Sequence, residues 1–425
     1  MYFRQIYIFI LAVSIFSTGC EKLITDPGDS TREVQSDEGL NYWGGIYKDE
    51  GHAVAKTDDG GYAIAGKQYS SDTQFDISMV IFNSSLVEKK RKVLDFVDSS
   101  SDSLSNYAND IRQDDDGGYI IVGSTYNGTD WDVLVIKFDS DLNTLWNVTI
   151  GGVVGYHDYG NSIEIMAGNS GYLVCGTSYD GTNSDFDARL WTISMDGQTV
   201  TSKYTGDTGN ASNDYGNYAQ QTYDGGYIMI TTNMTIATST QTTNVIKLVA
   251  AGTADANFGT AGTLSITACD EGIYVQQLYD GSYIIVGNTE TGTGQQSNVY
   301  INTVTGAGVA GTAKTMGGSY NDKVTCVRQT IDGGFVFTGS KYKQSSMKDV
   351  WIVKLNATLS TDWDYTYGGD KNDHGQSIAQ TDDGGYVITG STFSYGNQSE
   401  IMLLKLNNLG VVEDIIGSLN ASSGN

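Results

Sequence analysis

Proline is almost absent: Pro27 is the only one in 425 residues. Cysteine is scarce, with four, and histidine scarcer, with three. Basic residues number 24 against 50 acidic ones, which leaves a net charge of −26. Each shortage excludes something. Phosphate binding needs a basic surface, so nucleic acid is not expected as a partner, and neither is docking onto anionic lipid. Beyond Cys20 the cysteines are Cys175, Cys269 and Cys326. They fall at different registers, which argues against a disulfide framework, and they show no metal-ligand spacing. The apolar run Ile6 to Phe16 has 11 residues, too few for a membrane-spanning helix. Helical 3.6-residue periodicity is also missing.

The ends of the chain bear on location. Arg4 is the only charge among residues 1–20, and the short apolar run follows it, as in a secretory signal peptide. Ser17-Thr18-Gly19-Cys20 resembles the bacterial lipoprotein pattern, and that resemblance implies acylation of Cys20 as the first mature residue. The expected division is 1–19 signal peptide, 20–38 lipidated cysteine and acidic flexible tether, 39–416 folded domain, and 417–425 tail. Eighteen extended tether residues reach at most ~60 Å. The expected location is the bacterial cell envelope, on the outer membrane facing periplasm or cell surface, with contact to the membrane only through the lipid.

What the chain has in abundance is one phrase. Asp-Gly-Gly-Tyr or a close variant recurs seven times, centred on Gly61, Gly118, Gly171, Gly226, Ser282, Gly334 and Gly385. The spacings are 57, 53, 55, 56, 52 and 51 residues. A period of this size marks one supersecondary unit copied many times. In the last copy, Gln376 to Gln380 reads as a short strand, Asp383-Gly384-Gly385 as a tight turn, and Tyr386 to Thr392 and Ile401 to Leu406 as two more strands. Trp363 to Tyr367 adds a fourth. The runs YIIVGS, DVLVIKF and DVWIVKL are apolar on both faces, as sheets covered on both sides require.

Four short antiparallel strands per unit make a propeller blade, and seven units make an all-β, seven-bladed ring. An open β-solenoid is the weaker alternative. Asn41-Tyr42-Trp43-Gly44-Gly45 resembles Tyr365-Thr366-Tyr367-Gly368-Gly369, so the N-terminal segment is expected to complete the last blade, with Val411 to Ile416 competing for that place. The units TYGGDKNDHGQSIAQTDDGGYVITGST and TIGGVVGYHDYGNSIEIMAGNSGYLVCGTS resemble the seven-bladed β-propeller repeats of bacterial secreted proteins. The resemblance covers about residues 41–416 and implies a fold without naming an activity. Repeats four and five depart most, with a Thr/Ser-rich stretch at Thr231 to Thr243 read as a long loop.

Aligned copies yield two acidic rings. Asp49, Asn106, Asp158, Asp214, Asp270, Asp322 and Asp373 precede the innermost strands; Asp76, Asp132, Asp187, Asn244, Asn298, Asp349 and Glu400 begin the third strands. Both sets are expected on one face. They allow two readings: a carboxylate rim for cations, calcium included, or turn chemistry in which short acids accept backbone hydrogen bonds. No cofactor is otherwise expected. His52, His157 and His374 fall near innermost-strand starts, and His52 and His374 belong to neighbouring units. Tyr69, Tyr126, Tyr179, Tyr342 and Phe393 recur at second-strand ends beside Trp131 and Phe186, a pattern that suits stacking on sugar rings.

No nucleophilic triad can be assembled from these residues. Polar groups spread blade by blade favour a non-catalytic envelope lipoprotein that binds or scaffolds a protein or glycan on one face. The alternative is a carbohydrate-active enzyme, a polysaccharide lyase or glycosidase, whose site would break the repeat symmetry.

Overall fold

The computed structural model describes residues 48–412, except 70–73, 95, 98–102, 152–154, 182–183, 207–211, 291–295, 343–346 and 396–398, together with 32–33 and 40–43. The signal peptide, Cys20, Gly44-Gly45 and residues 413–416 lie outside the described residues.

The seven copies fold into seven four-stranded antiparallel blades. Blade 1 runs Asp49–Lys56, Tyr62–Tyr69, Phe75–Phe82, Glu88–Leu94 from the axis outward. The other innermost strands are Asn106–Gln113, Asp158–Ile165, Ser212–Gln221, Glu271–Gln277, Lys323–Gln329 and Asp373–Gln380. Each contacts the next, and the last contacts the first, so the circle shuts.

Burial follows position in the blade. Second strands such as Tyr386–Thr392 are buried at every residue, because blades cover them on both faces. Outer strands such as Thr144–Ile150 alternate between exposed and half-buried. The Tyr or Phe of the repeated phrase (Tyr62, Tyr119, Tyr172, Tyr227, Tyr283, Phe335, Tyr386) is buried in every blade. Its two glycines have distinct tasks. In blade 7, Gly384 takes φ +83° in the turn. A Cβ on Gly385 would lie 2.3 Å from the Leu406 carbonyl, so only glycine lets the turn close over the third strand. The Asp holds both strands: Asp332 accepts from Gly334 N and Thr330 Oγ1, and Lys354, buried on the third strand, reaches it at 2.9 Å.

Closure uses the N-terminal segment. Leu40–Trp43 pairs antiparallel with Glu400–Leu406 as the outer strand of blade 7. Val412 makes only an isolated bridge back to Leu406. Arg32–Glu33 adds a short parallel strand outside Thr361–Tyr367 of blade 6.

Two details differ from the sequence reading. Thr231 to Thr243 is not a long loop but the hairpin formed by Tyr227–Thr235 and Thr240–Leu248. Threonine is β-branched and extends these strands instead of ending them. Consequently Asn244 is not the blade 4 member of the second ring. It pairs with Thr231, level with Gly216, while Thr242 stands level with Asp214.

Every innermost strand carries a β-bulge just after its start, as at Gly160/Ser162. The bulge turns one residue toward the axis and frees the neighbouring backbone to bond the adjacent blade. The freed carbonyls accept from the preceding blade: Asn109 Nδ2 donates to Gly160 O at 2.8 Å, Asn161 to Gly216 O at 2.7 Å, Asn217 to Gly272 O at 2.5 Å, and Thr325 Oγ1 to Gly375 O at 2.7 Å. Ile273 cannot donate. At that interface Asn288 bonds both the N–H and the C=O of Val324. Near the lower face a second belt forms, in which Gln113, Gln277 and Gln380 accept from the turns of the preceding blades.

Candidate functional site

The upper face is the one where innermost strands begin. The first acidic ring lies there, below the surface: Asp49, Asp158, Asp214, Asp322 and Asp373 are buried, and Asp270 is half-buried. Their oxygens serve the blade itself. Asp49 accepts from Tyr69 N at 3.0 Å, Asp322 from Tyr342 N at 3.0 Å, Asp270 from Glu290 N at 2.5 Å, Asp373 from Thr392 Oγ1 at 2.5 Å, and Asp214 from Asn233 Nδ2 at 2.6 Å.

The second ring meets the first between blades. A Cβ on Gly368 would lie 2.5 Å from Asp349 Oδ1 of blade 6 and 2.6 Å from Asp373 Oδ2 of blade 7. The next backbone N–H, of Gly369, donates to Asp373 at 2.9 Å. Burial raises the Asp322 carboxyl above its ordinary range, against the pull of two backbone N–H donors. Among the described residues, no group of three His, Cys, Asp or Glu side chains is placed to hold a metal ion.

The three histidines do not gather. His52 Nδ1 faces Ala108 O of blade 2 at 2.8 Å, while His374 Nδ1 faces Ser340 Oγ of blade 6 at 3.0 Å, on the other side. Burial and then the Lys348 charge lower the His374 pKa. His157 Nδ1 accepts from Trp131 N at 3.1 Å, so its neutral ring carries the proton on Nε2.

Among the described residues of the upper face, the aromatic groups that pack ring on ring are on blades 1 to 4, while Tyr342 lies under Lys348 on blade 6 and Phe393 is half-buried on blade 7. Phe75 stacks on Trp131 with centroids 6.0 Å apart and planes at 12°, and Tyr69, Tyr107 and Tyr126 pack around them. A second group follows: Tyr156 on Tyr179 at 4.1 Å and 10°, then Phe186 between Tyr159 and Tyr215. All are half-buried, with part of each surface open to solvent. Tyr107, Tyr159 and Tyr215 were not singled out from the sequence. Their signal was available, because each directly follows a first-ring position in three successive blades. In blades 5, 6, 7 and 1 the same position holds Glu271, Lys323, His374 and Glu50. At this one position the ring is therefore aromatic on blades 2 to 4 and polar or charged on the other four.

A groove of about 280 Å³ is walled by Tyr159, Tyr215, Asn161, Asn217, Gln241 and Glu271. Among the described residues Glu271 is the one carboxylate in its lining, bound by Lys323 at 3.1 Å and Asn288 at 3.0 Å. Burial raises the Tyr159 and Tyr215 pKa values, which keeps both phenols protonated. Asn161 and Asn217 also wall a cavity of about 320 Å³ on the ring axis, to which all seven blades contribute.

No family model and no curated protein matches this chain. Solved structures do. An ulvan lyase of a polysaccharide lyase family, bound to its saccharide, is 11% identical, covers 87% of this chain and 96% of its own, and superposes with a TM-score of 0.51. A Penicillium chrysogenum α-L-arabinanase complexed with arabinobiose is 14% identical over 71% of this chain and 93% of its own, TM-score 0.44. A Fusarium graminearum α-L-arabinofuranosidase is 11% identical over 69% and 91%, TM-score 0.44. At such identities the likeness is one of fold. The expectation of a non-catalytic platform is nonetheless corrected, because a ring of this fold occurs as a polysaccharide lyase and the fold therefore does not speak for a non-catalytic role. The premise of that expectation also weakens at the position after the first ring, where residue type differs between blades instead of repeating.

Proposed function

We propose that the chain is a carbohydrate-active enzyme that lays a polysaccharide along the aromatic residues of the upper face and acts on it beside Glu271. One observation carries this reading: among the described residues, the groove between blades 3, 4 and 5 combines two tyrosines, amide donors and a single carboxylate. Aromatic faces suit sugar rings, and amides suit their hydroxyls. Hydrolysis by paired carboxylates needs two of them ~5–9.5 Å apart, and the described residues of the groove offer one. Elimination next to a uronate needs one base, so lyase chemistry with Glu271 as base is favoured. The fold shared with a polysaccharide lyase is consistent with this. The same reading has the enzyme held at the cell envelope through an acylated Cys20, checked by loss of fatty-acid labelling in Cys20→Ala.

The test is turnover on a panel of uronate-containing and neutral polysaccharides, following unsaturated ends by ultraviolet absorbance and reducing ends chemically. Glu271→Gln is expected to lower kcat by about 10²–10⁴-fold, and Trp131→Ala to raise KM. Full activity in Glu271→Gln, or no turnover across the panel, ends the proposal.

A further inference from the structure

Below the upper rim, the channel wall carries four charges on three blades: Asp110 and Arg112 on blade 2, Glu164 on blade 3, Arg328 on blade 6. Both carboxylates have a cation and further donors. Asp110 takes Arg112 Nη1 at 2.5 Å, its neighbour Ile111 N at 2.9 Å, and Ile163 N at 3.1 Å. Glu164 takes Arg112 Nη2 at 2.7 Å and the Tyr218 hydroxyl. Arg112 thus serves two acids.

Arg328 serves none. A guanidinium has five N–H donors. The hydrogen bond found for Arg328 among the described residues is Nη1 to Val327 O, at 2.8 Å, and no carboxylate among them lies within ion-pair distance. Its guanidinium carbon stands 5.9 Å from the Tyr274 ring centre, which backs the cation on one side. The Tyr274 hydroxyl is turned away to Gln276 Oε1 at 2.7 Å. Arg328 lines the axial cavity of about 320 Å³ with Asn109, Asn161 and Asn217. That volume is at the small end of the ~300–1,000 Å³ typical of small-molecule sites. Asn161 and Asn217 wall both the cavity and the groove, so the two lie side by side.

We infer that the axial cavity is a binding site for an oxyanion, a carboxylate or sulfate group, with Arg328 as the residue that pairs with it. The argument is one of unmatched charge. A cation half-buried in a polar cavity costs free energy unless an anion or water meets it, and guanidinium favours two-point pairing with planar or tetrahedral oxyanions. A chain of charge −26 has no general attraction for anions, so binding here reports this site and not the surface. The site requires no catalysis at the groove.

Isothermal titration of the purified chain with sodium sulfate and with sodium glucuronate, at constant ionic strength set by chloride, tests it. Saturable binding of glucuronate alone identifies an acidic sugar as the source of the group. Binding of sulfate alone identifies a sulfate or inorganic oxyanion. Arg328→Gln is expected to weaken binding by about tenfold or more. Glu164→Gln removes a nearby negative charge and is expected to tighten it several-fold. Glu271→Gln should bind the anion as wild type does, which separates this site from the enzymatic reading. Absence of saturable binding with both anions overturns the inference, as does unchanged affinity in both Arg328→Gln and Glu164→Gln.

Discussion

Arg112 Nη2 stands 2.7 Å from Glu164 Oε1, an ion pair that joins the innermost strands of blades 2 and 3 within the channel wall. Burial pulls the Glu164 carboxyl upward, and the Arg112 guanidinium outweighs that pull, holding it below its usual range. The pair forms where the repeat symmetry breaks, since blades 1 and 7 hold alanine at the same position (Ala55, Ala379).

Arg112→Met should therefore leave Asp110 and Glu164 without their shared cation. The Asp110 and Glu164 side chains are 10% and 25% exposed to the channel, which moderates the loss. We expect destabilisation of about 2–4 kcal/mol in urea unfolding at neutral pH. Arg112→Met combined with Glu164→Leu should recover part of it, because fewer carboxylates remain uncompensated. Equal stability of Arg112→Met and wild type would show that channel water replaces the guanidinium.

Gly368 makes the second prediction. Its backbone passes between Asp349 and Asp373, and an added Cβ would lie 2.5 and 2.6 Å from their oxygens. Both aspartates are about 1% exposed, so neither can swing into solvent. Gly368→Ala should cost about 1–3 kcal/mol. Gly318→Ala is the control: its Cβ would meet nothing nearer than 3.5 Å, and its thermal midpoint should stay close to wild type. Similar midpoints for the two variants would mean that the Gly-Gly pair is kept for some reason other than this close approach.

The ring was legible in the sequence because its cause is periodic. Each blade needs a turn that closes over its third strand and a bulky ring between sheets, and the phrase Asp-Gly-Gly-Tyr supplies both. Closure by the N-terminal segment was legible for the same reason, as a displaced copy of the fourth strand. The site was less so. The acids of the first ring repeat because every blade needs its second-strand backbone tied down, and repetition drew attention to them. The residues that differ between blades, Tyr159, Tyr215 and Glu271 at one register and Arg112, Glu164 and Arg328 at another, carry the asymmetry. Alignment on the repeat shows what blades share, so these fell below its view. Asn244 was misplaced for a related reason: the blade 4 hairpin is longer, and counting from the turn slips the register by two residues.

Glu50 gives the pH prediction. It lies 3.1 Å from Lys67 Nζ and 3.4 Å from His52 Nε2, on the upper face. Burial raises its carboxyl, but the His52 hydrogen bond and the Lys67 charge more than offset this and lower it from 4.5 to about 2. The folded pKa is thus below the unfolded one. The stabilisation is fully present above the unfolded value of 4.5 and is lost as pH falls toward about 2. Glu50→Gln has no such proton to take up. Its thermal midpoint should lie below wild type at neutral pH, and the difference should shrink steadily between about pH 4.5 and pH 2. Lys67→Met should show the same convergence, since it removes one of the two partners that depress the carboxyl. A gap between Glu50→Gln and wild type that stays constant across this range would mean that Glu50 is not held ionised by these neighbours, and that its effect on stability comes from packing alone.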